Sequence, residues 1–402
     1  MKRRVVVTGM GVVSSIGMGL EAFGRALRNG VSGASEITVL DTRGFASHRG
    51  CELKGFDGAP WVQRLDIDTV GRSSQFAIAA ARMALDDARV DSQWLSQYGC
   101  GVSIGTTEGE SQELDQLTEV WVTNGPEHLD AAQLARASAD LLSVSVSHEL
   151  DLHGEAVTIS TACAAGNYAI GYAYDLISLG EADSMLCGGT DAMSRKSFSG
   201  FYRLGAIAPH DCQPFDKNRK GILIGEGAGM LLLESLDSAL ARGATIYGEV
   251  LGYGLTCDAN HPVAPDQKSI ASCIRVAHQN AGITPDQVDY ISAHGTGTQA
   301  NDLTETAAIR EVFGSDPPPT SSIKSMLGHT MGAASALSTI ACALAIKNGF
   351  MPPTINHEAD DPNCPIDCVP NQARPADLRI VQNNAFAVFG NNAILIMQRY
   401  EN

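Results

Sequence analysis

The feature that most constrains the fold is a repetition within the chain, because four segments of its first part recur in the same order in the second. The first pair is an apolar run broken by Gly-x-Gly, and the third is rich in alanine and glycine. The four pairs are 5–15 with 248–258, 100–109 with 289–299, 164–180 with 330–349, and 222–236 with 385–399. Four matches in order predict a duplicated α/β unit, with halves at residues 1–245 and 246–402.

The spacing of apolar residues predicts how each half is built. Residues 73–90 and 269–282 carry apolar side chains at helical intervals, and Gly282 is a typical helix stop. Strands that alternate with such helices indicate a mostly parallel sheet covered on both faces. The two Ala/Gly-rich segments are apolar on nearly all sides, as in helices buried on every side. We therefore expect an α/β fold of five layers, αβαβα, with two sheets around a central helix layer.

Composition and charge exclude several classes of protein. An apolar share of 44% and a charged share of 18% give 402 residues enough material for a large core. The net charge of −17 argues against nucleic acid and against an anionic membrane surface. The start of the chain reads as a first buried strand rather than a signal peptide. No run approaches the roughly 20 apolar residues of a membrane span, so we expect a soluble, cytoplasmic protein.

One of the ten cysteines stands apart by its position. Most are scattered, and only Cys364 and Cys368 are close, without a partner set for zinc. Cys163 instead lies where the strand-like run VTIST meets an Ala/Gly-rich helix. A helix N-terminus carries partial positive charge and unpaired N–H groups, which favour a thiolate and can hold an oxyanion. Cys163 is therefore a candidate nucleophile for attack on a thioester.

Two histidines and a lysine complete the candidate set. His294 follows a predicted strand and precedes the loop Gly-Thr-Gly-Thr, while Lys324 lies five residues before His329. We predict that His329 opens the second buried helix and is the repeat counterpart of Cys163. Pseudo-two-fold packing would then bring the helix starts together with the loop of His294. A cysteine, two histidines and a lysine in one cleft suit acyl transfer through a covalent thioester.

The motifs VTISTACAAG, HGTGTQANDLTE, SIKSMLGHTMGAA and MPPTINHEADDP resemble signatures of the β-ketoacyl-ACP synthases, condensing enzymes of the thiolase superfamily. The 3-oxoacyl-ACP synthase II type is the most similar. The resemblance runs from VVVTGMGVVSSIG to ILIMQR, essentially the whole chain. It implies a thiolase-like duplicated fold and a homodimer, or a heterodimer with a related chain-length factor. It implies no metal and no organic cofactor.

The resemblance also assigns roles in catalysis. Cys163 would take the acyl chain from acyl carrier protein (ACP). His294 and His329 would promote decarboxylation of malonyl-ACP by donating Nε2–H to the enolate oxygen. The carbon so formed would attack the acyl thioester on Cys163 in a Claisen condensation. Lys324 would order the site rather than act on substrate.

Further residues match supporting positions of the family. Glu305, with Asp302 three residues before it, would support the site. Thr296 and Thr298 would hydrogen-bond the pantetheine arm. The backbone N–H groups of Cys163 and Val388 would form the oxyanion hole.

The sequence departs from the family at the last loop. The usual Gly-Phe-Gly-Gly-Thr-Asn is replaced, so that Val388 stands at the gating phenylalanine and Phe389 at the next glycine, before Gly390. Replacing glycine by phenylalanine restricts the backbone torsions that the family loop uses. The sequence therefore does not decide whether this oxyanion and gating loop moves as it does in the family. Val263 stands where the family often has threonine near pantetheine.

A second departure is the acidic loop TTEGESQELDQ, where the family is more apolar. Glu108, Glu110 and Glu113 indicate either a solvated loop, the simpler interpretation, or a more polar acyl pocket. These differences favour a dedicated polyketide, polyene or other specialised pathway over housekeeping fatty-acid elongation.

The sequence also leads to expectations about ACP docking and about the reaction. Acidic ACP needs basic residues at the entrance, and Arg64, Arg72 and Arg203 lie near family docking positions. The main hypothesis is a decarboxylating condensing enzyme. The alternatives are a thiolase-fold acyltransferase that does not decarboxylate, and a subunit that works only with a chain-length-factor partner.

Overall fold

The first strand of the computed structural model, Val5–Ser14, is buried at every position and forms the middle of the main sheet. The structure describes residues 2–91, 94–95 and 99–401. The sequence expectation of a first buried strand is confirmed by this segment. The two predicted helices are also found, at Arg72–Ala88 and Gln267–Ala281, and Gly282 ends the second in the left-handed conformation.

The elements alternate along the chain as the sequence pattern predicts. The strands are Val5–Ser14 (β1), Gly17–Met18 (β2), Ser35–Glu36 (β3), Arg49–Gly50 (β4), Gly101–Gly105 (β5), Ala156–Ile159 (β6), Ser184–Asp191 (β7), Gly227–Ser235 (β8), Gly248–Cys257 (β9), Tyr290–Ser292 (β10), Thr320–Ser321 (β11), Phe350–Met351 (β12), Arg374–Pro375 (β13), Ile380–Phe386 (β14) and Asn391–Gln398 (β15). The described α-helices are Gly19–Asn29 (α1), Arg72–Ala88 (α2), Ser111–Asn124 (α3), Ala131–Arg136 (α4), Leu141–Leu150 (α5), Ala165–Leu179 (α6), Arg195–Arg203 (α7), Leu236–Ala241 (α8), Gln267–Ala281 (α9), Gln299–Phe313 (α10), Lys324–Leu327 (α11) and Ala334–Asn348 (α12).

The strand order of the main sheet displays the duplication. It runs β11-β10-β14-β15-β9-β1-β8-β7-β5-β6, with β2 attached to β1. Read outward from the β9–β1 contact, both halves have two antiparallel pairings followed by two parallel ones. The predicted duplication is thereby confirmed. The expectation of a mostly parallel sheet is wrong, because the strands nearest the centre pair antiparallel.

The helices complete the five layers. Helix α2 packs on β1 and β8, whereas α9 packs on β9 and β15. Helices α6 and α12 contact each other and strands of both halves, so they form the central layer. The αβαβα arrangement is thus present, although the two expected sheets are joined through β1 and β9 into one continuous sheet. The division of the chain at residues 245 and 246 stays a prediction.

The central helices are buried as the sequence pattern predicts, and small residues allow their close contact. Every residue of Ala334–Ile346 is buried. A Cβ placed on Gly166 would lie 2.7 Å from the backbone nitrogen of Ala336. Among the described residues, Met331–Asn348 is long and apolar enough to cross a membrane by composition, although no such run was expected. In the structure 89% of this stretch is buried inside the protein, as in a core helix.

We expect Gly166→Ala to lower the free energy of unfolding by about 1 to 3 kcal/mol, because the added methyl group forces the central helices apart. Urea unfolding followed by circular dichroism measures the change. Gly200→Ala is the matched control, since a Cβ there meets no atom within 4 Å and α7 gains helix propensity. Equal stability of the Gly166→Ala protein and the unmodified protein would contradict the tight crossing.

Candidate active site

Cys163 is placed by a strained turn between β6 and α6. Residues Ala162–Ala164 form one 3₁₀ turn, and Ala162 has a φ of 51°, which is uncommon outside glycine. The turn leads directly into α6 and leaves Cys163 with 3% exposure on the wall of a cavity of about 450 Å³. The expected strand-to-helix junction is therefore present.

The same turn recurs before α12, and it corrects the predicted equivalence of His329 with Cys163. Residues Met331–Ala333 form the second 3₁₀ turn, and Met331 has a φ of 50°. The counterpart of Cys163 is therefore Gly332, and His329 lies three residues earlier. The prediction matched Cys163 to His329 instead of Gly332 because both segments are rich in small residues. Such residues do not show how the two segments align.

The structure nevertheless brings the predicted catalytic residues together. One ligand atom from each of Cys163, His294 and His329 lies within 4.8 Å of the other two. The two imidazole rings pack edge to face with centroids 5.5 Å apart. All three residues line the same cavity. A thiol and two imidazoles thus share one site, as the pseudo-two-fold argument predicts.

Hydrogen bonds to Nδ1 leave the Nε2–H of both imidazoles for a substrate. The backbone N–H of Met331 donates to Nδ1 of His329 at 3.0 Å. The Lys324 ammonium lies 3.5 Å from Nδ1 of His294 and donates to its carbonyl oxygen at 2.6 Å. Since both Nδ1 atoms are acceptors, the proton of each neutral ring resides on Nε2.

Burial keeps both histidines neutral. Desolvation lowers the pKa of His294 and of His329 well below the ordinary value of 6.5, and the Lys324 cation adds to the effect. Burial also lowers the pKa of Lys324 itself, while Glu305 opposes that shift. The site therefore supplies two neutral N–H donors rather than imidazolium acids.

The expectation of a favoured thiolate at Cys163 is not met. Burial raises the pKa of its thiol to about 11. The Val388 N–H, the Lys324 cation and the N–H of Cys163 itself act in the opposite direction but are outweighed. Desolvation wins because the thiol is almost fully buried where the two halves of the chain meet, a burial that a helix-terminus argument leaves out.

The loop that supplies Val388 is fixed on both sides. Phe389 donates its N–H to the carbonyl of Pro262 at 2.7 Å, and Asp258 donates its N–H to the carbonyl of Gly390 at 2.9 Å. Phe389 has a φ of 68°, a left-handed conformation that glycine adopts readily, and its side chain is on the surface with 68% exposure. The backbone at Phe389 therefore keeps the left-handed conformation of a glycine, although this conformation is energetically unfavourable for phenylalanine.

Buried carboxylates order the loop of His294. Glu305 accepts the N–H of His294 at 2.8 Å and of Gly295 at 2.7 Å. Asp302 accepts the N–H of Phe215 at 2.8 Å and of Gly297 at 3.2 Å. Burial raises the pKa of Glu305, and that of Asp302 to about 6. Neither carboxylate lines the cavity, so both position the loop rather than meet a substrate.

The outer part of the cavity carries the residues predicted to bind pantetheine. Thr296 and Thr298 both line it, and their hydroxyls are 2.9 Å apart. Val263 lines the same region with 44% exposure. Val388 and Gly390 form part of the wall, whereas Phe389 does not. The cavity thus leads from the predicted pantetheine contacts to Cys163.

The acidic loop is neither solvated nor part of the cavity. Glu110 is buried, accepts the N–H groups of Ser73 and Ser74 at the start of α2, and has a pKa raised to about 7 by burial. Glu108 and Glu113 pair with Lys196 and Arg136 in contacts of 3.2 and 2.9 Å. The solvated-loop interpretation is wrong, because these carboxylates cap and pair within the protein, whereas the more polar acyl pocket stays a prediction.

Asp191 is a supporting residue that the sequence analysis missed. It ends β7 in full burial, and it accepts the N–H of Gly332 at 2.6 Å, the N–H of Thr107 at 2.8 Å and the hydroxyl of Thr106 at 2.6 Å. Burial raises its pKa to about 7. It thus ties the turn after His329 to the first half. The signal available was an acidic residue directly after an apolar strand run.

The predicted docking arginines have different surroundings. Arg72 pairs with buried Glu226 at 2.7 Å and stacks over Phe76, so its guanidinium is occupied within the protein. Arg64 pairs with exposed Asp151 at 2.6 Å. Arg203 is exposed at the end of α7, directly before cavity-lining residues 204–206. Of the three, Arg203 has the position that docking at the entrance requires.

The catalytic cluster is also the metal-like cluster that the described residues contain. A sulfur and two imidazole nitrogens are a familiar donor set for zinc. However, Nδ1 of both rings is engaged by Met331 or Lys324, and the Lys324 cation adjoins the set. The expectation of no metal and no organic cofactor stays a prediction.

Comparison with known proteins identifies relatives over the full chain. The model of the beta-ketoacyl synthase N-terminal domain matches residues 2–239, and that of the C-terminal domain matches 247–358. A 3-oxoacyl-[acyl-carrier-protein] synthase 2 of Synechocystis is 38% identical, covering 100% of this chain and 99% of the relative. Nodulation protein E of a Rhizobium species is 37% identical, covering 99% of this chain and 100% of that protein.

Solved structures give the same result for the fold. The ishigamide ketosynthase/chain length factor is 54% identical with a TM-score of 0.98, and the match covers 100% of both chains. A complex of a type II PKS acyl-carrier protein with its ketosynthase matches at 32% identity and a TM-score of 0.92, again over 100% of both chains. The thiolase-like fold is thereby confirmed.

We expect nitrogen-15 NMR of labelled histidine to show His294 and His329 as neutral Nε2–H rings at pH 6. Their pKa values lie well below 6.5, so protonation begins only at lower pH. Single His294→Gln and His329→Gln variants assign the two signals. An imidazolium spectrum for either ring at pH 6 would contradict the neutral-donor site.

Proposed function

Because the chain belongs to the β-ketoacyl synthase family, we propose that it condenses an acyl chain carried on Cys163 with malonyl-ACP. The products are 3-oxoacyl-ACP and CO₂. The observation that carries this proposal is the convergence of one thiol and two Nε2–H imidazoles on one cavity. Acyl transfer alone would use the thiol, whereas a pair of neutral donors serves a developing enolate.

In the proposed first step the Cys163 sulfur attacks the thioester of acyl-ACP. A new carbon–sulfur bond forms, the bond to pantetheine breaks, and the thiol proton of Cys163 ends on the released ACP thiol. The N–H groups of Cys163 and Val388, which adjoin the sulfur, hold the oxyanion of the tetrahedral intermediate. Lys324 partly offsets the raised pKa of the thiol, because its positive charge stabilises the anionic sulfur.

In the second step the thioester oxygen of malonyl-ACP accepts Nε2–H from His294 and His329. The carbon–carbon bond to the carboxylate breaks and CO₂ leaves. The electron pair of the broken bond forms the enolate. The enolate carbon attacks the acyl thioester, the new carbon–carbon bond forms, and Cys163 leaves as a thiolate that takes a proton from water. Loss of CO₂ supplies the driving force, so the site needs no strong base.

A second chain is part of the proposal. Helix α3 exposes Leu114, Trp121 and Val122, and the last two are 60% and 80% exposed. Such apolar side chains on one helix are typical of a covered surface. The 54% identical structural neighbour is the ishigamide ketosynthase/chain length factor. We therefore favour a heterodimer with a related chain-length-factor subunit over a homodimer, with ACP as the substrate carrier.

The residues around the entrance support the remaining assignments. Thr296 and Thr298 bind the pantetheine arm, and Arg203 contributes to ACP docking at the adjoining surface. All ten cysteines are free, which agrees with a reducing, cytoplasmic location. The thiolase-fold acyltransferase without decarboxylation is disfavoured by the paired imidazole donors.

We expect a Cys163→Gln variant to release CO₂ from malonyl-ACP without an acyl primer, since both histidine donors remain. Adding His294→Ala or His329→Ala should lower this rate by about 100- to 1,000-fold through loss of an enolate donor. Radiolabelled CO₂ release measures the rate, and correct folding is checked by circular dichroism. Undiminished CO₂ release in both double variants would show that the histidines do not promote decarboxylation.

We expect condensation activity to require the second subunit. Co-expression with a related chain that lacks the nucleophilic cysteine should give a 1:1 complex by light scattering, and this complex should convert acyl-ACP and malonyl-ACP. The same chain with Trp121→Asp should lose the complex, whereas Leu240→Asp, an exposed leucine on another helix, should retain it. Full activity of a homodimer would contradict the heterodimer.

A further inference from the structure

A buried histidine outside the cavity begins a chain of polar contacts that ends at the catalytic loop. His278 lies on α9, is 4% exposed, and sits where that helix packs on the second-half sheet among residues such as Ile274 and Ile396. Its ring packs edge to face on Phe313. A polar ring in such an apolar layer costs free energy unless it is hydrogen-bonded, so its partner must be identified.

The partner is Gln382 on β14. Nε2 of His278 lies 2.7 Å from Oε1 of Gln382, and the Gln382 amide nitrogen donates to Oδ1 of Asn384 at 2.7 Å. Gln382 and Asn384 are two apart on one strand, so they face the same side. The amide nitrogen of Asn384 then donates to Oε1 of Glu305 at 3.0 Å. Four side chains thus connect α9 to Glu305 through three hydrogen bonds.

The far end of this chain holds the backbone of His294. The oxygen of Glu305 that receives Asn384 also accepts the N–H of His294, and the other oxygen accepts the N–H of Gly295. Gln382, Asn384 and Glu305 are at most 2% exposed, so water does not compete for these contacts. The orientation of the Asn384 amide therefore bears directly on the carboxylate that positions His294.

His278 fixes the direction of the hydrogen bonds from one end of the chain, and the Glu305 carboxylate fixes it from the other. A donor at Nε2 requires the oxygen of Gln382 to face it, which turns the Gln382 NH₂ toward Asn384 and the Asn384 NH₂ toward Glu305. Without that donor the Gln382 amide can turn over. Asn384 would then have to turn as well and present its oxygen to the Glu305 carboxylate, which is repulsive. The donor at His278 and the carboxylate acceptor at Glu305 thus favour the same orientation of the whole chain, and loss of the donor removes one of these two constraints.

We propose that His278 and Gln382 are positioning residues for decarboxylation, acting through Asn384 and Glu305 on His294. Neither residue touches substrate or lines the cavity. The inference rests on the proposed role of His294. It also explains why a histidine and a glutamine occupy an interface that apolar side chains could fill, since replacing both partners of a buried pair by apolar groups is nearly neutral for stability.

The test separates positioning from stability with a double-mutant cycle. His278→Leu and Gln382→Leu should each lower CO₂ release from malonyl-ACP by about 3- to 30-fold, the range of remote coupling effects. Transfer of an acyl group from acyl-ACP to Cys163, followed by mass spectrometry, should fall less than twofold, because it does not use His294. The double variant should regain the melting temperature of the unmodified protein but keep the low decarboxylation rate of a single variant.

Two further variants distinguish a failure of this inference from a failure of the proposed role of His294. Tyr174→Phe removes a part-buried hydrogen bond elsewhere, to the carbonyl of Leu251 at 3.1 Å, and should leave the ratio of decarboxylation to acyl transfer unchanged. His294→Ala must itself lower decarboxylation by about 100- to 1,000-fold, and if it does not, the proposed role of His294 is wrong. If His294→Ala has this effect but the pair variants keep decarboxylation, or lose it only in step with acyl transfer and melting temperature, the inference is overturned.

Discussion

The close contact of the two central helices is the constraint on which the rest of the structure depends. Gly166 leaves no room for a side chain where α6 meets the backbone of Ala336 on α12, and the Asn167 N–H donates to the Ser335 hydroxyl at 2.9 Å nearby. Each helix follows a 3₁₀ turn that ends one half's strand-to-helix connection. Because the helices meet near their starts, Cys163 from one half reaches the histidines of the other.

Burial at the contact between the two halves then decides the chemistry of the groups brought together. The same desolvation lowers the pKa of His294 and His329 and raises the pKa of the Cys163 thiol to about 11. The lowered histidine pKa keeps the imidazoles neutral, so that they can donate hydrogen bonds to the proposed enolate. The raised thiol pKa makes Cys163 a weaker nucleophile, because less of it is present as thiolate. Lys324 opposes the second effect and reinforces the first. One buried cation thus serves both steps of the proposed reaction.

The sequence revealed most of the fold and the residues of the site, but not their registers or surroundings. Repetition predicted the duplicated halves, and helical periodicity located α2 and α9. Antiparallel pairing at the sheet centre depends on long connections that leave no local pattern. The offset of His329 from Gly332 was hidden by small residues. Glu110 and Asp191 bind backbone N–H groups distant in sequence, contacts that one-dimensional patterns do not encode.

The last loop shows how a family site tolerates an altered sequence. Its contribution to Cys163 is the N–H of Val388, a backbone group that any side chain except proline retains. Phe389 holds a left-handed conformation that costs a non-glycine residue about 1 to 3 kcal/mol, and hydrogen bonds to Pro262 and Asp258 maintain it. Side chains at Val388 and Phe389 can therefore differ from the family while the N–H of Val388 stays beside the Cys163 sulfur.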